Sequence, residues 1–340
     1  MRLTALATYI PEGRIDAEEI IRDAGGSQSE ARVFERLFGL AQVSACSTKE
    51  TRYDQFARIL EDLQAQGGDA ALPDTLIHVR GLPMRDGPSG AVLPRLRQEF
   101  GFLAKVQQKF DLDQTNCAGL IWALELARTL LKAGRARVVA VVAGDGHERL
   151  ALADRYVPGS TLMGDAFCGL LLTEEPGAPS GQGLQIGDIS LTCHPRFSFG
   201  YKGTTAQMGS FYAAHGQIVS KTLRDLGFRL NSRSSLLPHN VNRMAWASFC
   251  AETGVSSDRI SLGLLPDVGH CYTVDPFLLL KQELDDPNSR FNSARENAAT
   301  LLSVGMGGYA AGCQVSAPRA ATSSTNSISF KRSGNHALSA

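Results

Sequence analysis

The stretch DQTNCAGLIWALELARTLLKAG, residues 113–134, places Leu120, Ile121, Leu124, Ala127, Leu130 and Leu131 at the spacing of one helical face. Trp122 and Leu126 make other faces apolar as well, so the pattern predicts a helix covered by protein on most sides. Asn116 is a good N-cap, which puts Cys117 at the first helical position, and Gly134 is the C-terminal stop. Backbone N–H groups at that end have no partner within the helix, and the macrodipole is positive there. Both effects favour a thiolate and stabilise an oxyanion forming on a group bound to the sulfur. The competing reading of Cys117 is a small buried thiol that fills space.

Outward from this helix, VVAVV at residues 138–142 is apolar and β-branched, as in a strand buried on both faces. Strand signals also fall at residues 3–10, 75–79 and 167–173, and helix signals at 16–23 and 51–65. Residues 81–94 are rich in Gly and Pro and read as a loop, with a short helix near 91–98. Strand, helix, strand in this order is an α/β pattern. Residues 174–183, EEPGAPSGQG, are the best link between two halves. The second half repeats the style of the first. It has strands near 184–193, 235–237 and 300–304, with helices at 212–226, 243–252 and from Pro276. GDAFCGLLL from Gly164 and GGYAAGCQV from Gly307 each place glycines five apart before a terminal strand. The reading is a duplicated core, residues 1–175 and 184–316, followed by a flexible Ser/Ala/Thr/Asn tail over 317–340.

The 34 basic and 34 acidic residues balance, so nothing global points to nucleic acid or an anionic membrane. No apolar run approaches the ~20 residues needed to span a bilayer, and the first residues lack a signal-peptide hydrophobic region. Seven cysteines without a C-x-x-C fit reduced thiols and a cytoplasmic location. No His/Cys spacing predicts a metal site.

Two histidine segments follow predicted strands or turns. LLPHNVN puts His239 in a turn ahead of a helix, and DVGHCYTVDP puts His270 after Gly269, again ahead of a helix. Loops at strand ends are where α/β proteins assemble sites. Two such histidines with a helix-start cysteine suggest a Cys/His nucleophilic site, against the plain reading of structural or solvated loop histidines. His147, in GDGHE after a buried strand, reads as a solvated turn, with a pocket-lining residue as the alternative, and Cys168, Cys193, Cys250, Cys271 and Cys313 as packing residues.

The order Asn116-Cys117-Ala118-Gly119, Gly164-Asp165, Pro238-His239-Asn240-Val241-Asn242, Gly269-His270 and Gly305-Met306-Gly307-Gly308 resembles the thiolase superfamily. The nearest branch is ketoacyl-acyl-carrier-protein synthase III, whose substrate-covering segment resembles residues 207–211 here. The resemblance covers residues 1–315. It implies a five-layered αβαβα thiolase fold from two similar halves, and a homodimer. It also implies that Cys117 is the acylated nucleophile and His239 its histidine partner. The oxyanion hole would be the N–H of Cys117 with one from Gly307 or Gly308. Asn242 and Phe211, with Phe197, Phe199 and Tyr212, would bind or wall in the substrate, against the default reading of such aromatics as core residues. Arg36 and Arg243 would meet the phosphate of CoA or an acidic carrier protein, or else are ordinary surface charges.

One departure matters. His270 stands where condensing enzymes of this branch carry asparagine. With Asp275 it resembles a subgroup that transfers acyl groups to oxygen or nitrogen through Cys, His and Asp in natural-product pathways. A carboxylate that orients a histidine base suits the deprotonation of an acceptor. The competing reading of Asp275, with Pro276 after it, is a helix N-cap. The expected activity is therefore acyl transfer from acyl-CoA or an acyl carrier protein to a small-molecule or carrier-bound hydroxyl, amine or thiol. The thioester is substrate, and no permanently bound cofactor, metal, nucleic acid or membrane is expected. The alternatives are a decarboxylative ketosynthase and a non-catalytic thiolase-fold partner subunit.

Overall fold

In the computed structural model, residues 1–67, 72–82, 92–147, 150–174, 183–229, 234–293 and 297–317 are described. The chain is built on a nine-stranded sheet, whose strands we number in chain order. They are β1 (Arg2–Tyr9), β2 (Thr75–Val79), β3 (Gln108–Leu112), β4 (Val138–Asp145), β5 (Ala166–Thr173), β6 (Leu184–Cys193), β7 (Ser235–Pro238), β8 (Ala298–Gly305) and β9 (Tyr309–Ser316). Their order across the sheet is β7-β8-β9-β6-β1-β5-β4-β2-β3. The seam is the short antiparallel contact of β1 with β6, Arg2 opposite Gln185 and Leu3 opposite Leu184. Outward from it, β1-β5-β4-β2 pair antiparallel, antiparallel, parallel. On the other side β6-β9-β8-β7 pair in the same sequence. Two similar halves thus meet edge to edge, and β3 extends the first half by one parallel strand.

The helices that cover the sheet are α1 (Arg52–Gly67), α2 (Val92–Glu99), α3 (Gly119–Lys132), α4 (Thr205–Asp225), α5 (Arg243–Thr253) and α6 (Asp275–Asp285). Because successive strand residues point to opposite faces, the buried strands divide their apolar side chains between two cores. Val139, Val141 and Ala143 of β4 join a core with α3 and α6, whereas Ala140 and Val142 join one with α1 and α2. In the second half, Leu301, Ala311 and Cys313 face that same α3/α6 core. Leu302, Val304 and Ala310 face Phe211, Ile218 and Trp246 of α4 and α5. The result is five layers, αβαβα, with α3 and α6 in the middle. The all-round apolarity of residues 120–131 follows from that central place.

Within the large sheet and its covering helices, most expected elements stand within a few residues of their predicted bounds, with three departures. β3 is an edge strand of alternating exposure, QKFDL, too short and polar to stand out in the sequence. α4 starts at Thr205, so residues 207–211 belong to its first turns and are not a covering segment ahead of it. The legible signal was the capping box Thr204–Gln207, whose side chains exchange hydrogen bonds with each other's backbone N–H. Asn116 is not the N-cap of the central helix. It adopts a left-handed φ of 47°, and a 3₁₀ turn over Asn116–Ala118 precedes α3. The predicted tail and most of the predicted linker and Gly/Pro loop, residues 318–340, 175–182 and 83–91, lie outside the described residues.

Phe277 on α6 is fully buried in the middle layer. Its replacement by alanine should cost ~3–5 kcal/mol of stability, measured by denaturant unfolding.

Candidate active site

Cys117 sits in the turn that leads into α3 and is 6% exposed. Three separate segments converge on this turn. Asn116 donates from Nδ2 to the carbonyl of Gly81 at 2.8 Å. Its Oδ1 accepts from the N–H of Met306 at 3.1 Å and from the Cys117 thiol at 3.0 Å. The end of β8 closes on the same turn, since a Cβ on Gly305 would stand 2.7 Å from the carbonyl of Thr115 and 3.1 Å from the Cys117 nitrogen. Only glycine fits there. The leading end of α3 is held from the other half, where the Thr273 hydroxyl accepts from the N–H of Leu120 at 2.5 Å.

His270 reaches the sulfur. Its Nε2 is 3.2 Å from Cys117 Sγ, and its Nδ1 is 2.5 Å from Asp275 Oδ2. The backbone of His270 is fixed independently, by its N–H on the carbonyl of Leu162 and its carbonyl on the N–H of Gly164. Asp275 has no exposed surface. Its Oδ1 accepts from the N–H of Cys271 at 2.8 Å and its Oδ2 from the N–H of Asn240 at 2.7 Å. The carboxylate is therefore turned away from its own helix. Val274 occupies the N-cap of α6 and no side chain caps that end, so the helix-cap reading of Asp275 does not hold. Nucleophile, imidazole and carboxylate stand in line, each within hydrogen-bonding reach of the next. Burial opposes charge on His270, but the Cys117 sulfur and the Asp275 carboxylate beside it raise its pKa to about 10.

His239 is placed otherwise than the resemblance implied. Its Nε2 lies 3.4 Å from Nε2 of His215 on α4, and its ring stands 5.8 Å from that of His270. No hydrogen bond joins it to Cys117 among the described contacts. Burial, then the neighbouring His215 and His270, push its pKa well below the usual range, which keeps it a neutral imidazole. Burial likewise lowers that of His215 to about 4. The sequence carried no signal that His215 would pair with His239.

The remaining expected site residues divide. Gly307 and Gly308 form the β8–β9 turn with φ of 95° and 80°. A Cβ on Gly308 would stand 2.3 Å from the His194 carbonyl, and one on Gly305 would stand 3.1 Å from the Cys117 nitrogen. Asn242 spends both polar ends on backbone, capping α5 through the N–H of Ala245 and donating to the carbonyl of Ser160. Phe211 packs with Phe197 and Tyr212 in the outer α4/α5 core. Around Cys117 itself the apolar neighbours are Met163 and Tyr272, with Leu82 and Val157 half-buried. Arg36 and Arg243 are exposed, and the guanidinium of Arg243 lies over Gly39. His147 is not in a solvated turn. It is buried, with Nδ1 2.8 Å from Asp165 Oδ1 and Nε2 3.0 Å from the Tyr272 hydroxyl.

Because His270 titrates higher when folded than when unfolded, its contribution to stability is complete below its unfolded pKa of about 6.5. That contribution is lost as pH rises toward about 10. The melting-temperature advantage of the wild type over His270→Gln should therefore shrink between pH 6.5 and 10. An advantage constant across that window would contradict the assignment.

No protein-family model matches the chain. The β-ketoacyl-[acyl-carrier-protein] synthase III of Anaplasma marginale is 24% identical over 219 residues, 59% of this chain and 66% of that protein. The chain thus spans just under two thirds of the curated relative it matches. Among solved structures, 3-oxoacyl-[acyl-carrier-protein] synthase III from Aquifex aeolicus superposes with a TM-score of 0.71 at 14% identity, over 93% of this chain and 99% of that one. The Pseudomonas aeruginosa enzyme FabH gives 0.71 at 18% identity over 94% and 98%. Cerulenin-bound OleA of Xanthomonas campestris gives 0.74 at 15% identity over 93% and 96%. Among the described residues, no helix is long and apolar enough to cross a membrane. With its five layers and the Cys117 turn between them, the chain has the thiolase fold of these synthase III and OleA structures.

Proposed function

We propose that the chain is an acyltransferase of the synthase III type, working through an acyl-cysteine at Cys117. The observation that carries this reading is the line from Sγ of Cys117 through His270 to Asp275. In the first step the Cys117 thiol gives its proton to Nε2 of His270, the sulfur attacks a thioester carbonyl, the new C–S bond forms, and the donor's C–S bond breaks. His270 returns the proton to the departing thiol of CoA or a phosphopantetheine arm. In the second step an acceptor O–H, N–H or S–H gives its proton to Nε2 of His270 and attacks the acyl carbon, and Cys117 leaves as thiolate. Asp275 orients the imidazole and compensates its charge, as a buried carboxylate does behind a catalytic histidine. The donors are acyl-CoA or an acyl carrier protein, and the exposed Arg36 and Arg243 suit a phosphate or an acidic carrier. A homodimer in a natural-product pathway completes this reading.

Decarboxylative condensation with a malonyl thioester is the second reading, favoured by the names of the curated relative and of several structural neighbours. It asks for neutral donors toward an enolate oxygen, and His239 is neutral but engaged with His215. A non-catalytic partner subunit is the third, and it predicts no acylation of Cys117.

Intact-protein mass spectrometry after incubation with a panel of acyl-CoAs and acyl carrier proteins tests these readings. Transfer predicts an adduct on Cys117 that survives malonyl-CoA and discharges onto an alcohol, amine or thiol. Release of CO₂ with a β-keto product would replace it with the condensing reading, and absence of any adduct with the partner-subunit reading. Cys117→Ala should form no adduct. His270→Asn should lower transfer by at least ~100-fold, the usual scale for loss of a general base.

A further inference from the structure

We infer that Tyr272, held through its hydroxyl by His147 and Asp165, is the positioning residue that keeps the His270 imidazole on Cys117. This deepens the proposed function and rests on the same site, but the geometry that carries it is separate from the Cys117–His270–Asp275 line.

Asp275 fixes one edge of the His270 ring and leaves its faces to other neighbours. The Tyr272 ring supplies one, 5.7 Å away and tilted by 36°. The same ring lies 5.7 Å from that of His147, 21° from parallel, so it neighbours both imidazoles. Its hydroxyl is 3.0 Å from His147 Nε2. His147 in turn is set by Asp165, which it approaches through Nδ1 at 2.8 Å and through its backbone N–H at 3.0 Å. Arg155 meets both oxygens of that carboxylate, at 2.9 and 2.8 Å, and the N–H of Cys46 adds a further donor. Burial works against the charge of Asp165, but these hydrogen bonds from His147 and Arg155 outweigh it and hold the carboxyl well below its usual range. With Nδ1–H of His147 donating to the Asp165 carboxylate, Nε2 is left to accept from the Tyr272 hydroxyl.

The backbone of Tyr272 is a second, independent sign. Among the described residues only Asn116, Tyr272 and Asn297 are non-glycine residues with positive φ, and the first two flank Cys117. For an aromatic residue a φ of 54° is an outlier, kept only where the surroundings over-determine it. The Gly81 backbone presses against it, since a Cβ there would stand 2.5 Å from Tyr272 Cβ. Gly81 is itself pinned by its N–H on the Asp145 carboxylate and its carbonyl on Asn116. The loop that carries base and orienter is thus hung on the half of the molecule that carries the sulfur.

The test is the pH-dependence of Cys117 alkylation by iodoacetamide, read by peptide mass spectrometry, in the wild type, Tyr272→Phe, Tyr272→Leu and His147→Gln. This readout needs no acyl donor, so it stands or falls apart from the proposed reaction. Tyr272→Phe keeps the ring and should keep the fold, yet lower the Cys117 rate at pH 7 about tenfold and move the profile to higher pH. His147→Gln should do the same, Tyr272→Leu should do more, and Tyr272→Phe combined with His147→Gln should add little to either alone. Profiles that overlay the wild type in folded Tyr272→Phe and His147→Gln would overturn the inference, and so would fully additive losses.

Discussion

A carboxylate with no exposed surface is costly unless donors meet its charge, and at Asp275 three of them do. The N–H of Asn240, the N–H of Cys271 and Nδ1 of His270 converge on its two oxygens. That satisfaction decides much else in the molecule. It draws the turn after β7 against the start of α6, and it bends the Gly269–Asp275 segment so that His270 points back over the central layer. It also sets which imidazole nitrogen faces the sulfur.

The other constraint is close approach. Gly305 admits the Cys117 turn because it has no side chain, and Asn116 accepts a left-handed backbone at smaller cost than other non-glycine residues. Asn116 then ties three segments together through its amide: the one after β2, the turn leading into α3 and the β8–β9 turn. Strain at Asn116 and Tyr272 is held by dense hydrogen bonding and packing, which is where sites store it. The central helices α3 and α6 make this possible, because their fully buried faces leave their leading ends side by side.

Much was legible in the residues themselves. The run of Leu120, Ile121, Leu124, Ala127, Leu130 and Leu131 declared a covered helix, and the β-branched run from Val138 declared a strand buried on both faces. The echo of glycines before β5 and β9 agreed with the repeated strand order, and Cys117, His270 and Asp275 were all singled out. Other features were not legible. β3 alternates polar and apolar over five residues and gains its place by pairing with β2 at the sheet edge. His147 looked like a turn residue, because burial of that turn depends on Asp165, Arg155 and Tyr272 arriving from elsewhere. Asn242 looked like part of a site motif, but its local chemistry is that of a helix cap.

By itself, the sequence determined the α/β class and the inventory of nucleophile, imidazoles and carboxylate, because hydrophobic period and turn chemistry are local properties, whereas the five-layer order was implied only by the family resemblance. Only the tertiary structure decided that His270 and not His239 meets Cys117. The two residues stand 153 positions apart, and their contact depends on the bridge to Leu162 and Gly164 and on the bend closed by Asp275. The same packing gave His239 a different neighbour, His215, on an outer helix. No local pattern encodes such pairings, since each is set by where separate loops end once the five layers have closed.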